Sequence, residues 1–140
     1  MAYDKAKWHQ DGDFPKDLDT AAAYTHTGLF VAWAILAGLG GEEVAEDFGD
    51  EIEQLRERTA APSQLYRCMD GTFTEEELSE EGNAFTEGYF DLEKGQYLKD
   101  YEKTLCQGLP STFHAADSWE NFDKLKPVLD ARLASWRAVR

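Results

Sequence analysis

The chain has 140 residues, 42% of them apolar, with 4 Trp, 6 Tyr and 8 Phe, which is enough to bury one ordinary core. Its 28 acids against 14 Lys and Arg leave a formal charge of -14, a field that repels nucleic-acid phosphates and anionic headgroups and argues against nucleic acid or membrane as a direct partner. The same field attracts a basic protein surface, an attraction that salt weakens.

Residues 1–18 mix charge with Tyr3, Trp8 and Phe14, and Gly12-Asp13-Phe14-Pro15 cannot lie inside a helix. An ordered, extended N-terminal arm is expected, pinned by its aromatics to a helical body over 19–140, the two forming a single domain. The start, Met-Ala-Tyr-Asp-Lys-Ala-Lys-Trp, has neither the apolar run nor the cleavage site of a signal peptide, which points to the cytoplasm. Cys68 and Cys106 belong to no ligand spacing and are expected to be reduced, largely buried thiols.

Asp17, Asp19 and Thr20 are N-cap candidates for a central helix running from Ala21 to Leu39 and ending at Gly40-Gly41. Its stretch Gly28 to Leu39 is too short to span a bilayer and reads as buried on most sides. Val44, Phe48, Ile52 and Leu55 then predict an amphipathic helix from Glu42 to Arg58. After the break at Pro62, Leu65, Tyr66 and Met69 predict a short helix that stops at Asp70-Gly71. Thr74 and Glu77 form a capping-box pattern ahead of the stripe Leu78, Phe85, Tyr89 and Leu92. Tyr97, Tyr101 and Leu105 mark the next helix. Beyond the turn at Gly108-Leu109-Pro110-Ser111, Asp117 or Ser118 can cap a stripe from Trp119 to Trp136, with Pro127 favouring two consecutive helices. No segment alternates as a strand requires. The expected fold is all-α, a compact bundle of five to seven helices around a buried central one.

Signatures of chemistry are sparse. His9, His26 and His114 are scattered, and there is no HExxH, no Cys/His cluster, no GxSxG, no SxxK and no phosphate loop, so no catalytic residue, metal or cofactor is assigned. Acids, in contrast, are concentrated: eight between Glu42 and Arg58 and nine between Asp70 and Glu93. If those helices lie side by side they form an acidic wall of Asp47, Asp50, Glu76, Glu80, Glu87 and Asp91, flanked by Tyr89 and Tyr97. Aromatic anchors within a charged rim are what tight protein interfaces use. The same aromatic stretch, 85 to 101, could instead bury itself in a homodimer.

The opening Tyr3-Asp4-Lys5-Ala6-Lys7-Trp8-His9, with Gly12-Asp13-Phe14-Pro15, Thr25-His26-Thr27-Gly28-Leu29-Phe30 and Ala32-Trp33, resembles a family of small uncharacterised bacterial proteins. Glu81-Gly82-Asn83-Ala84-Phe85 and Trp119-Glu120-Asn121-Phe122-Asp123-Lys124-Leu125 look like the same family, which brings no reaction with it. In size, acidity and helix content the chain is also similar to immunity proteins made beside polymorphic toxins, including those of type VI secretion. That similarity implies stoichiometric capture of a cognate toxin with a basic active-site cleft. Two rival readings stand beside it. One is an enzyme or a ligand- or metal-binding domain with a pocket lined by Trp8, His9, Asp13, His26 and Trp33; the other is a regulatory adaptor.

Overall fold

The structure is a computed structural model that describes residues 2–140. The chain is mainly helical, with eight α-helices and one two-stranded sheet among the described residues. The helix at the centre, α2 (Thr25–Leu36), is buried at every position from Thr25 to Ile35. It is entered through a 3₁₀ turn over Thr20–Tyr24, where the Asp19 carboxylate accepts the Ala21 N–H. Positive-φ Gly38 lies just beyond its end.

The remaining helices wrap this one. The expected amphipathic helix over 42–58 is two, α3 (Glu42–Asp47) and α4 (Gly49–Glu57), because the chain leaves helical geometry at Phe48. The break lets Val44 on one piece and Ile52 and Leu55 on the other all reach the core. Helix α5 (Gln64–Cys68) stops where expected, Asp70 and Gly71 both adopting positive φ. The Thr74/Glu77 capping box is present, but it closes only a 3₁₀ turn over Glu75–Glu77; Ser79 starts α6 (Glu80–Tyr89) anew by accepting the Gly82 N–H. After α7 (Tyr97–Leu105), the last stretch is one continuous helix, α8 (Trp119–Ala138), capped by Ser118, rather than two. Pro127 lies on its exposed side, so the carbonyl it leaves unpaired meets water while Phe122, Leu125, Leu129 and Leu133 hold both halves against the core. No helix among the described residues is long and apolar enough to cross a membrane. Both cysteines are free thiols, and Cys68 is exposed rather than buried.

The arm departs most from expectation. It carries a strand, β1 (Ala2–Lys5), and a helix, α1 (Ala6–Gln10). Strand β1 pairs antiparallel with β2 (Thr72–Thr74), with Ala2 opposite Thr74 but Asp4 opposite Phe73, so one extra residue is bulged into β1 at Tyr3. Phe73 faces the core and is fully buried. Asp4, opposite Phe73, is fully buried beside it, while the bulge shifts the pairing of Ala2. Neither strand alternates strongly enough to be read from the chain alone, and two short strands hold together only on a packed body.

Helices α2 and α5 cross at Gly28, where an added Cβ would stand 2.5 Å from Ser63 Cβ and 2.8 Å from Ser63 Cα. Backbone on the far side cannot yield as a flexible side chain would. Gly28→Ala is therefore expected to destabilise the fold by about 1–3 kcal/mol, seen as a lower urea midpoint with an unchanged m-value.

Candidate functional site

The arm and the central helix meet at a buried polar cluster. Asp4 is fully buried, and a buried carboxylate has to be compensated by donors. Thr27, in the first turn of α2, donates its hydroxyl to Asp4 Oδ2 at 2.5 Å. His9 Nε2 lies 2.8 Å from Asp4 Oδ1 and 3.0 Å from Oδ2, and His26 Nε2 lies 3.6 Å from Oδ2. The two imidazoles meet edge to face with centroids 4.7 Å apart, and Phe113 packs on both. His26 is pinned at its backbone as well, since its carbonyl accepts the buried Tyr97 hydroxyl at 2.5 Å. Its ring is poorly served: Nδ1 is buried with no partner.

Helix α1 explains how His9 reaches this cluster while its neighbour does not. Ala6 and His9, three apart, share the inward face; Trp8 points outward and is 53% exposed. Of the five residues expected to line a pocket, then, His9 and His26 come together and the others do not. Asp13 sits exposed in the turn after α1. Trp33, two turns along α2 from His26, is core: its Nε1 donates to Asp130 of α8 at 2.9 Å and its ring packs on Phe30 and Phe85. Asp4 and Thr27, which no local pattern marks as site residues, both lie inside the quoted motifs: Thr27 follows His26 in α2, and Asp4 lies in β1, five residues before His9.

The acids are arranged differently from one continuous wall. The backbone of 39–41 pairs with 77–79, through Ser79 N–H to Leu39 O at 2.9 Å and Gly41 N–H to Glu77 O at 3.0 Å. This brings only the starts of α3 and α6 together, placing Glu42 and Glu43 with Glu76 and Glu80 around one open recess. Along α6, exposed Glu80 and Glu87 stand seven residues apart on one face, and exposed Asp91 continues that line past the helix end. Asp91 also accepts the Glu93 and Lys94 N–H groups, which lower its pKa. The line ends at a second recess, bordered by Glu87, Asp91 and Glu93 together with Tyr3 and the outward-facing Trp8. Asp47 and Asp50 are exposed at the α3–α4 junction, on neither recess. None of Glu76, Glu80, Glu87, Asp91, Asp47 and Asp50 is in an ion pair among the described residues.

The two expected aromatic anchors are interior. Tyr97 is fully buried, and Tyr89 donates to the buried Asp100 at 2.6 Å, which Arg132 of α8 also grips at 2.8 Å and 3.0 Å. Their four-residue periodicity belongs to a core aromatic cluster, in which Phe90 and Tyr97 stack at 5.2 Å. The exposed aromatic at the acidic face is Trp8 instead.

The sequence family model described as a domain of unknown function, DUF7832, matches residues 2–115. The chain belongs to that family. The matched span contains Asp4, His9, His26 and Thr27 and the whole acidic line, and it stops before α8, so the Trp119–Leu125 stretch lies outside it. Comparison with curated proteins and with solved structures gives no match.

Burial pushes the His26 pKa down to about 4, with Asp4 pulling it up and His9 adding to the depression. The unfolded chain takes up that proton near pH 6.5, so between about 6.5 and 4 the unfolded state binds more protons and stability is lost as the pH is lowered. Unfolding free energy is expected to drop by about 2 kcal/mol between pH 7 and pH 5 from this group. Urea titrations at the two pH values check it: a His26→Gln variant should lose that part of the pH slope, whatever its stability at pH 7.

Proposed function

We propose that this chain is an immunity protein that neutralises a bacterial toxin by stoichiometric binding, covering the toxin's active-site cleft with its α6 face. The observation that carries this reading is the unpaired acidic line Glu80, Glu87 and Asp91, which runs from the Glu42–Glu43–Glu76 recess to an exposed tryptophan. A large aromatic left 53% in solvent, surrounded by unpaired carboxylates, has the makeup of an interface anchor with a charged rim. A partner with a basic cleft, as in enzymes that act on nucleic acid or nucleotides, supplies the complementary surface, and the -14 net charge speeds the encounter.

A face of this kind is large enough. A standard interface takes about 800 Å² from each partner, and the chain exposes 7642 Å² in all. With α6 about 15 Å long at 1.5 Å per residue, the two recesses at its ends fall within one such footprint.

The experiment is co-expression with the toxin encoded beside this chain, scored by rescue of growth and by co-purification. Binding by the wild-type chain is expected to weaken at least tenfold in the Glu80→Lys/Glu87→Lys variant, mainly through a slower, less salt-sensitive association. Trp8→Ala should cost about 2 kcal/mol or more of binding energy, as truncated anchors do, with no loss of folding stability. An Asp47→Lys/Asp50→Lys variant, reversed on a different part of the surface, should bind as wild type. Unchanged capture by the α6 double variant at physiological salt would exclude this face.

A further inference from the structure

The buried cluster beneath the arm has no part in that capture surface, and its donor set suits a different ligand. Asp4, His9 and His26 each offer one atom, a carboxylate oxygen and two imidazole nitrogens, and these atoms all lie within 4.8 Å of one another. Around a tetrahedral zinc ion, ligand atoms at about 2.0 Å from the metal stand roughly 3.3 Å apart. The separations of Asp4 from His9, 2.8 Å, and from His26, 3.6 Å, fall on either side of that value. The third separation, between the two imidazole nitrogens, is no more than 4.8 Å, so rotation of the side chains rather than movement of the backbone is what closing on an ion requires.

Two further observations point to a cation rather than to a closed hydrogen-bond network. His26 is 1% exposed, yet Nδ1 has no partner and Nε2 stands 3.6 Å from Asp4 Oδ2, beyond hydrogen-bond length. A buried imidazole this poorly hydrogen-bonded is a costly arrangement, and a metal–nitrogen bond at Nε2 would give the ring a strong partner on the side that faces Asp4. Second, the carboxylate is already oriented from behind: Thr27 donates to Asp4 Oδ2, as the outer partners of metal-binding carboxylates do. Its place in the β1–β2 ladder, opposite the buried Phe73, holds Asp4 there.

We propose that Asp4, His9 and His26 bind one divalent first-row transition ion, with zinc as the best match to two imidazoles and one carboxylate. Magnesium and calcium are poor matches, since both prefer oxygen-only ligand sets. Three protein ligands leave one tetrahedral position for water or a substrate atom. His9, whose side chain is 21% exposed, is the ligand nearest solvent and marks the way in. Bound metal would tie β1 and α1 to α2 through two coordinate bonds, so the arm would be held by the ion as well as by packing.

The test begins with the full chain stripped by a chelator and titrated with zinc and with cobalt by calorimetry and visible absorption. One equivalent per chain is expected, with cobalt giving the d–d bands of low-coordinate geometry and magnesium giving no binding. His9→Ala should abolish stoichiometric binding, Thr27→Val should weaken it roughly 10–100-fold, and His114→Ala, which alters the histidine paired with Asp17, should leave it intact. Should the cluster variants fail to fold, imidazole nitrogen NMR of the wild-type chain decides alone: zinc must shift Nε2 of His9 and His26 and leave His114 in place. No stoichiometric uptake by the wild-type chain, or uptake that leaves the His9 and His26 resonances unmoved, would overturn the assignment. Neither outcome bears on toxin capture by the α6 face, which is read by a separate assay on separate residues.

Discussion

Burying the Asp4 carboxylate is the constraint around which the rest of the molecule is organised. A charge taken fully out of water is tolerated only when donors meet it, and the donors come from two places: His9, five residues away, and Thr27 on the central helix. Satisfying Asp4 therefore docks the arm on α2. Within the strand, Asp4 stands opposite the buried Phe73, and the register shifts only beyond it, between Ala2 and Asp4. The polar first turn of α2, Thr25-His26-Thr27, is thus buried because the arm covers it, while the apolar remainder of the helix is buried by the bundle.

Outside that cluster the interior is closed by aromatic packing with a few polar ties. Phe30, Phe73, Phe90 and Tyr97 form a continuous ring cluster against α2, and Tyr97 spends its hydroxyl on the His26 carbonyl. Beside that cluster, Asp100 is shared by Tyr89 and Arg132, joining α6, α7 and α8. Burial raises Asp100's pKa, but the Arg132 and Tyr89 hydrogen bonds outweigh it and hold the carboxyl below its ordinary value. Arg137 of α8 and Arg140 just beyond it also neutralise Glu81. These two bases meet one flank of α6, while Lys124, Lys126 and Arg132 pair with Glu120, Asp130 and Asp100, leaving the flank with Glu80 and Glu87 uncompensated. The asymmetry that makes α6 a one-sided acidic face comes from this allocation of arginines.

Much of the helical framework was legible from local pattern. Twelve consecutive apolar or small residues from Gly28 announce a buried helix, Ser118 before a long apolar stripe announces α8, and Asp70-Gly71 announces a stop. Each of these depends on residues within a turn or two of one another. Where the structure departs from local pattern, the deciding contact is distant. Pro127 reads as a break because the packing that carries α8 through it is invisible locally, and 42–58 reads as one helix because its apolar spacing says nothing of a change in direction at Phe48. Tyr89 and Tyr97 read as surface anchors because an aromatic repeat has the same spacing whether it faces a partner or a core.

By itself, then, the sequence determined that this is a strongly acidic, mainly helical chain built on one buried helix, since composition and period-3.6 patterning are properties of short stretches. It also placed His9 and His26 in two motifs that a rival reading joins in one pocket, though without the carboxylate they share. Only the tertiary structure decided that these motifs share one carboxylate, that Trp8 faces solvent while Trp33 does not, and which acids remain without a base. Those outcomes rest on pairings between residues tens of positions apart, such as Asp4 with Thr27, β1 with β2, and Glu81 with Arg137. Such pairings are selected by burying the whole core at once, and no local window contains the energy that selects them.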